Sequence, residues 1–184
     1  MWPESDHPAK AQGSGAGPPP PRGTLLLEHR IRAVKYWLMK SEPDECSIDD
    51  VLKAPGRITP WSGVRNYQAR NFMRDQMQVG DGVLFYHSSC EVPGIAGLAE
   101  VASPAYTDKS QFDRKSPYYD AASKKEAPRW VNVDVHALKK TRLVPLTELR
   151  THKPLSKMRL LQPGNRLSIT PVSEAEWRYI QKLL

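Results

Sequence analysis

Short runs of apolar residues, separated by turn-forming residues, recur along the chain and predict more strands than helices. The run at 36–40 is compact and flanked by breakers, which predicts a strand buried on both faces. Residues 83–88 and 94–101 predict two further strands paired as a hairpin. Gly97 predicts a bulge, a tightly curved strand or a close approach to the backbone. The pattern favours an α+β fold, a small β-barrel with helices packed around it.

The C-terminal half continues this pattern after a polar interruption. Residues 106–128 are polar and proline-bearing without a clear period, which predicts a long loop of a kind that is often functional. Residues 131–138 alternate strictly, so Asn132, Asp134 and His136 are expected to face away from the apolar side of a strand. A last strand is predicted at 166–170.

Capping patterns predict where helices begin. A capping box has a hydroxyl residue three positions before an acid, and this spacing occurs at Ser47 with Asp50 and at Ser173 with Glu176. A short helix is also predicted at 145–149. These helices supply the layer expected to pack around the strands.

The segment 61–71 carries the densest set of candidate functional side chains, with a tryptophan before a Ser-Gly turn and a polar helix after it. The turn frees backbone N–H groups at the helix start, where the helix dipole favours anions. Asn66, Arg70 and Arg74 recur every fourth residue and share a helix face. This arrangement allows a planar group to stack on Trp61 while a phosphate meets the arginines. An amphipathic surface helix with a buried tryptophan behind it explains the same pattern.

Charge, cysteine content and the N-terminal composition narrow the class of protein. The formal net charge of +7 suits a polyanionic partner. Cys46 and Cys90 match no metal-ligand spacing and favour a reduced intracellular protein, although a single disulfide is an alternative. Residues 1–23 are rich in Pro, Gly, Ala and Ser, and we expect 1–34 to be a disordered tail or an upstream start-site artefact. We expect a soluble protein without a membrane span or signal peptide.

The sequence contains none of the common enzyme motifs. It lacks the dinucleotide and P-loop glycine patterns, the zinc-protease and serine-hydrolase motifs, and the zinc-deaminase signature. We therefore expect no cofactor and no metal. Glu42 and His87 are candidate acid–base residues, but Glu42 precedes a helix start that favours acids and His87 equally suits an ordinary position at a strand end.

Aromatic residues on a basic chain favour nucleic-acid binding instead. Each base stacked on an aromatic ring contributes about 1–3 kcal/mol, and arginines contact phosphates. Trp37 lies in a predicted strand and is expected in the core, whereas Trp61 and Trp130 lie beside turns and are candidates for pocket walls.

Four motifs, taken together and in order, resemble the EVE domain family, and they lie at 36–43, 61–71, 85–88 and 93–97. The resemblance covers residues 35–184 as one domain. It implies a PUA-like barrel related to YTH domains, which read methylated adenine in RNA. It also implies the reading of modified bases, particularly modified cytosine in DNA.

Carried over to this sequence, the resemblance implies a base pocket with Trp61 as its first aromatic wall. The second wall is open between Tyr118, Tyr119 and Trp130. The expected pocket residues are Ser41, Glu42, Trp61, Ser62, Gly63, Val64, Asn66, His87, Ser88 and Trp130. The expected phosphate contacts are Arg65, Arg70, Arg74, Lys139, Lys140 and Arg142.

These observations predict a non-enzymatic protein that binds a modified base in DNA or RNA. One alternative is a nucleotide-processing enzyme that uses Glu42 and His87, and another is a small-ligand or protein-interaction module. We expect a monomer in the cytoplasm, with bacteria preferred as the source, or in the nucleus if the chain is eukaryotic.

Overall fold

The computed structural model describes residues 33–184, which form seven strands, four α-helices and four short 3-10 turns. The strands are β1 Tyr36–Ser41, β2 Ile58–Trp61, β3 Gly82–His87, β4 Gly94–Val101, β5 Tyr106–Thr107, β6 Val131–Pro145 and β7 Ile169–Val172. The helices are α1 Ile48–Lys53, α2 Tyr67–Asp75, α3 Leu146–Thr151 and α4 Glu174–Gln181. The 3-10 turns are Pro55–Arg57, Lys109–Phe112, Lys153–Leu155 and Arg159–Leu161. Nearly all of the predicted tail at 1–34 lies outside the described residues.

The strands form one mixed sheet in the order β2-β6-β4-β3-β1-β7, and β5 pairs with β6 beside this path. The predicted hairpin is confirmed, because β3 and β4 pair antiparallel with Leu84 opposite Leu98. Strand β1 runs parallel to β3 and places Met39 opposite Phe85. Within residues 33–184 the end strands β2 and β7 do not pair with each other, so the predicted barrel is an open sheet.

Strand β1 has apolar cores on both of its faces, as its continuous apolar run predicts. Trp37 and Met39 belong to a core that includes residues of α1 and α2. Leu38, between them, points to a second core that includes Trp177 and Ile180 of α4. Alternate residues of a strand face opposite sides of a sheet, so the sheet separates the two cores.

Gly97 lies where Ile48 of α1 packs directly on the sheet. A Cβ atom on Gly97 would lie 2.7 Å from Cγ1 of Ile48 and 2.8 Å from the carbonyl oxygen of Lys139. Register shifts occur on both sides of this stretch, in the β3–β4 and β4–β6 ladders. The predictions of a bulge and of a close approach are both confirmed.

Both predicted capping boxes are present. The Ser47 hydroxyl accepts a hydrogen bond from the backbone N–H of Asp50, and the Ser173 hydroxyl accepts one from Glu176. The acidic side chain at the third position returns a bond to the cap in each case. These caps start α1 and α4 where the sequence predicts them.

Strand β6 departs from its prediction in two ways. It has 15 residues and includes the basic run 139–142, because it pairs with β4 as far as Pro145. Asn132 is only 6% exposed, since β5 pairs with this end of β6 and places Tyr106 opposite it. Asn132 alternates with Val133 of the core and lies on the other face of β6, as predicted, but it is buried there rather than exposed.

The segment predicted as a long loop is ordered by a buried glutamine. Within it lie β5 and the 3-10 turn Lys109–Phe112. The Gln111 side chain donates to the carbonyl oxygen of Trp130 at 2.9 Å and accepts from the N–H of Arg129 at 3.0 Å. No helix within residues 33–184 combines the length and the apolar character needed to cross a membrane.

Candidate functional site

A cleft of about 710 Å³ opens where β1, β2 and β3 end. It is lined by Lys40, Ser41, Glu42, Glu45, Cys46, Thr59, Pro60, Trp61, Ser62, Gly63, Val64, Arg65, Ser88, Ser89, Tyr118, Arg166 and Ser168. The predicted pocket residues among these are Ser41, Glu42, Trp61, Ser62, Gly63, Val64 and Ser88. Most of the predicted pocket therefore comes together, although its members are scattered over nearly fifty residues of chain.

Trp61 forms a fixed wall of the cleft. It is the last residue of β2 and pairs with Val133 of β6. Its ring packs edge-on against the ring of Phe85, with 5.3 Å between ring centroids and 82° between ring planes. Only 7% of the residue is exposed, and it borders the cleft. The indole is held by the core behind it, so a ligand in the cleft meets a preorganised apolar surface.

Tyr118 is the second aromatic residue of the cleft. Its hydroxyl donates to the Glu45 carboxylate, with both oxygens at 3.0 Å. Its ring lies against the backbone of Gly63, which has a φ of 78°. Burial and then the hydrogen bond to Glu45 raise the pKa of the Tyr118 phenol above its ordinary value, so it remains a donor at neutral pH.

Trp130 was expected in the pocket and lies elsewhere in the described chain. Its ring stacks on Tyr67 of α2, with 4.9 Å between centroids. Its indole N–H donates to the Asp120 carboxylate at 2.7 Å. Because α2 covers one side of the ring and β6 continues from its backbone, Trp130 is only 5% exposed and attaches the 106–130 segment to α2. The prediction that Trp130 lines the pocket is wrong.

Arg65 was expected to contact phosphate but forms an internal ion pair. Its Nη1 lies 2.8 Å from Oδ2 of Asp108, whose side chain is 2% exposed. Its guanidinium also donates to the carbonyl oxygen of Tyr118. Burial alone would raise the pKa of Asp108, but hydrogen bonds from Ser110, Arg65 and Gly63 hold it below its usual range. Arg65 thus connects the Trp61 turn to the segment that carries Tyr118.

The ends of β1 and β3 hold the polar edge of the cleft. The Ser41 hydroxyl donates to the carbonyl oxygen of Cys46 at 2.7 Å, and the backbone N–H of Ser88 donates to that of Ser41 at 2.9 Å. Glu42 follows directly, with an exposed side chain at the cleft. Its carboxylate makes no hydrogen bond to any residue in 33–184, unlike that of Glu45. Glu42 is thus an acceptor available to a ligand.

His87 supports α1 from behind the cleft. Its Nε2 accepts a hydrogen bond from the backbone N–H of Ile48 at 3.2 Å. Burial lowers the pKa of His87, and the nearby ammonium of Lys140 acts in the same direction against Asp49 and Asp50. The hydrogen bond from Ile48 occupies the accepting nitrogen, and the lowered pKa favours the neutral imidazole. The structure therefore does not place His87 at the cleft as a partner for Glu42.

Asn66 also has a structural task. Its side-chain oxygen accepts from the backbone N–H groups of Gln68 and Ala69, at 2.9 and 3.1 Å, and caps α2. Asn66 precedes the first helical residue and has an extended backbone conformation. It therefore does not share a helix face with Arg70 in the way that the four-residue spacing predicts. The expectation that Asn66 supplies a polar edge of the pocket is not met.

The remaining predicted phosphate contacts are largely paired within the chain. Carboxylates accept from Arg74, Lys140 and Arg142, at 2.7, 2.6 and 2.6 Å respectively. Arg70 donates to Asn71 and to the carbonyl oxygen of Arg129. Only Lys139 of this group, within residues 33–184, has neither an ion pair nor a side-chain hydrogen bond. These surfaces offer less free positive charge than the sequence suggests.

Sequence reasoning missed several residues of the cleft. Lys40 lies inside the first motif, next to Ser41, so its place was detectable; burial lowers the pKa of its ammonium group. Arg166 and Ser168 come from the segment before β7, which adds to the sheet beside β1. Nothing local in the sequence links that segment to Trp61.

Within residues 33–184, no three His, Cys, Asp or Glu side chains are grouped closely enough to hold a metal ion. The lining of the cleft combines aromatic rings, hydroxyls, two carboxylates and three cations, of which Arg65 is paired. That chemistry suits a flat, polar-edged ligand with an attached anion.

The chain matches the family model described as EVE domain over residues 35–183. Thymocyte nuclear protein 1 of Homo sapiens is 42% identical over 166 residues, covering 80% of this chain and 73% of the human protein. A solved structure of a hypothetical protein from Leishmania major is 47% identical with a TM-score of 0.77, covering 82% of this chain and 94% of that one.

A second solved structure is human THYN1 protein in complex with 5-methylcytosine containing DNA. It is 42% identical with a TM-score of 0.77, and covers 81% of this chain and 96% of the solved chain. These similarities confirm the predicted α+β, PUA-like fold, with the sheet open.

Proposed function

This chain belongs to the EVE domain family, and from its cleft we propose that it binds DNA carrying a methylated cytosine, with the base held against Trp61. The observation that carries the proposal is that Trp61 and Tyr118 border one open cleft, with the free Glu42 carboxylate at its edge. The DNA in the human relative's complex supports the choice of ligand. The volume of about 710 Å³ lies within the range of roughly 300–1,000 Å³ usual for small-ligand sites.

A base reaches such a cleft only after leaving its helical stack. Flipping a nucleotide out of a duplex costs a few kcal/mol, and stacking on an aromatic ring returns about 1–3 kcal/mol per base. The core fixes the ring of Trp61, so little side-chain entropy is lost when a base stacks on it. The rings of Trp61 and Tyr118 thus supply affinity for any flat heterocycle. The polar groups at the edge of the cleft must therefore distinguish one base from another.

Glu42 suits the recognition of cytosine over thymine. Cytosine carries an amino group at its 4-position, where thymine carries a carbonyl oxygen, and a carboxylate accepts from the former and repels the latter. Glu45 is committed to Tyr118, which leaves Glu42 for this role. Ser62 and the backbone of Gly63 line the same cleft and complete the polar edge.

We propose a binding function without catalysis. An acid–base mechanism through Glu42 and His87 lacks support, because the accepting nitrogen of His87 is bonded to Ile48 and the pKa of the imidazole is lowered. Placement in the cytoplasm, or in the nucleus of a eukaryote, stays a prediction, as does the monomeric state.

The test is fluorescence anisotropy with two otherwise identical DNA duplexes, one carrying a single 5-methylcytosine and the other a cytosine at the same position. Binding to RNA is measured as a separate arm. Trp61→Ala is expected to weaken binding of the methylated duplex by about 5- to 150-fold, the equivalent of 1–3 kcal/mol of stacking. Trp177→Ala is the matched control, because it removes a buried tryptophan from the other core, where it stacks on Tyr36.

Unfolding curves for both variants show whether weaker binding results from lower stability of the fold or from the loss of the stacking surface of Trp61. Equal affinities of the wild type for methylated and unmodified DNA would overturn the proposal. So would a Trp61→Ala effect no larger than that of Trp177→Ala. Binding of RNA alone would identify a different nucleic-acid partner for the same cleft.

A further inference from the structure

A polar groove of about 420 Å³ continues from the cleft and shares Arg166 with it. It is lined by Asn66, Gln68, Arg159, Gln162, Pro163, Gly164, Asn165, Arg166 and Leu167. Two arginines and four side-chain amides are present, and none of the lining residues is acidic. The groove therefore combines positive charge with neutral hydrogen-bonding groups.

The two arginines of the groove differ from the cations predicted to bind phosphate. Arg74 and Arg142 each bond a carboxylate at less than 3 Å. Within residues 33–184, Arg159 and Arg166 have no carboxylate partner, and both are exposed. An unpaired guanidinium keeps its full charge and its five N–H donors for a bidentate contact with a phosphate.

Internal hydrogen bonds hold the backbone of the groove. The Asn165 side chain donates to the carbonyl oxygen of Arg159 at 2.9 Å and accepts from the N–H of Leu167 at 3.2 Å. The Gln162 side chain donates to the carbonyl oxygen of Ser156 at 2.9 Å. Gly164 turns the chain with a φ of 74°. The positions from which Arg159 and Arg166 extend are thus set before a ligand arrives.

We propose that this groove binds the sugar-phosphate backbone of the nucleotides next to the base in the cleft. A flipped base remains attached to its own two phosphates, which must lie at the mouth of the cleft. Arg166 borders both spaces and meets the nearer phosphate, whereas Arg159 borders only the groove and meets a phosphate further along the strand. This inference rests on the proposed function. It places the path of the bound DNA strand from the cleft at Trp61 along the groove towards Arg159.

The groove makes binding depend on salt and on DNA length. Each neutralised phosphate releases counterions, and it contributes about 0.9 to the slope of log affinity against log salt concentration in duplex DNA. An isolated nucleoside has no phosphate and reaches only the cleft. Backbone contacts carry no sequence information, so the preference for the methylated base is independent of the groove.

Arg159→Ala is the decisive variant, because Arg159 lies outside the cleft. We expect the salt slope for the methylated duplex to fall by about 0.9 and the affinity at low salt to fall several-fold. The ratio of affinities for methylated and unmodified DNA, and the affinity for 5-methyl-2′-deoxycytidine, are expected to remain those of the wild type.

Two further variants make the comparison specific. Arg159→Lys keeps the charge and is expected to restore most of the salt slope. Arg178→Ala removes one positive charge from the exposed face of α4, where Arg178 is paired with Glu174, and controls for net charge. It is expected to leave the slope unchanged.

A wild-type salt slope in Arg159→Ala would overturn the inference, and so would a slope change of equal size in Arg178→Ala. A weaker affinity for the nucleoside would also overturn it, because Arg159 would then act through the cleft. If the wild type retains its preference for methylated DNA in these cases, the proposed function stands without the groove. Equal binding of methylated and unmodified DNA by the wild type would instead remove the proposed function.

Discussion

The ring of Tyr118 occupies the space in which a side chain at Gly63 would begin. A Cβ atom on Gly63 would lie 2.6 Å from Cζ of Tyr118, and the positive φ of 78° at Gly63 is itself unfavourable for other residues. The turn after Trp61 is therefore the surface against which the second aromatic residue of the cleft packs. The width of the cleft depends on that one position lacking a side chain.

Gly63→Ala is expected to cost both stability and binding. The left-handed backbone conformation costs about 1–2 kcal/mol for a residue with a Cβ atom, and the new methyl group displaces the ring of Tyr118. Gly80→Ala is the matched control, because Gly80 has a φ of 86° and a Cβ atom added there would have no neighbour within 4 Å. Urea unfolding should show the backbone cost in both variants, whereas anisotropy should show weaker binding only for Gly63→Ala. Equal affinity of the two variants for the methylated duplex would show that DNA binding does not depend on the position of the Tyr118 ring.

Asp108→Asn is expected to lower the free energy of unfolding by about 3 kcal/mol, because it leaves the partly buried guanidinium of Arg65 without its charge partner. Asp75→Asn breaks the exposed pair with Arg74 and should cost below about 1 kcal/mol. Chemical denaturation of both variants measures the difference. A loss of similar size in the two would contradict the assignment of Arg65 to an internal role.

Stability should depend on the protonation of His87. Burial lowers its pKa in the folded state, so the unfolded chain binds more protons in the window below the unfolded value of about 6.5. The contribution of neutral His87 is complete above that value, and it is lost as the pH falls towards the folded pKa. In His87→Gln, the amide oxygen can still accept from Ile48 but does not titrate.

The free energy of unfolding is measured from about pH 7.5 down to about pH 5 by urea titration, a range that brackets the ordinary pKa of histidine. The wild type should lose more stability over this range than His87→Gln. Parallel pH profiles for the two proteins would exclude His87 as the group responsible. Binding at neutral pH should be unchanged in His87→Gln, which separates this residue from the enzymatic alternative.

Glu42→Gln should lower the ratio of the affinities for duplexes that carry 5-methylcytosine and thymine. The two bases share the 5-methyl group and differ in hydrogen bonding at the 4-position, where a glutamine can donate as well as accept. The affinity ratio is expected to fall by a factor that corresponds to about 1–3 kcal/mol. Anisotropy with otherwise identical duplexes measures it, and Glu174→Gln on α4 serves as the charge control. An unchanged ratio would assign the selection to a group other than Glu42.

The elements of the fold were predictable because their signals are local. The capping box at Ser47 and the apolar run of β1 each act within a few residues, and both appear where expected. Long-range pairing explains the differences. β6 is longer than its alternating stretch because β4 continues beside it, and Asn132 is buried because β5 covers it.

The sequence by itself determined β1, β3, β4, β6 and β7, the capped starts of α1 and α4, and the motifs that supply Ser41, Glu42 and Trp61 to one cleft. Only the tertiary structure decided that Tyr118 rather than Trp130 shares that cleft with Trp61. The reason is that a side chain's accessibility depends on neighbours far away in the chain. The same holds for charge: an arginine in a sequence is simply positive, and only the folded chain determines whether a carboxylate already neutralises it.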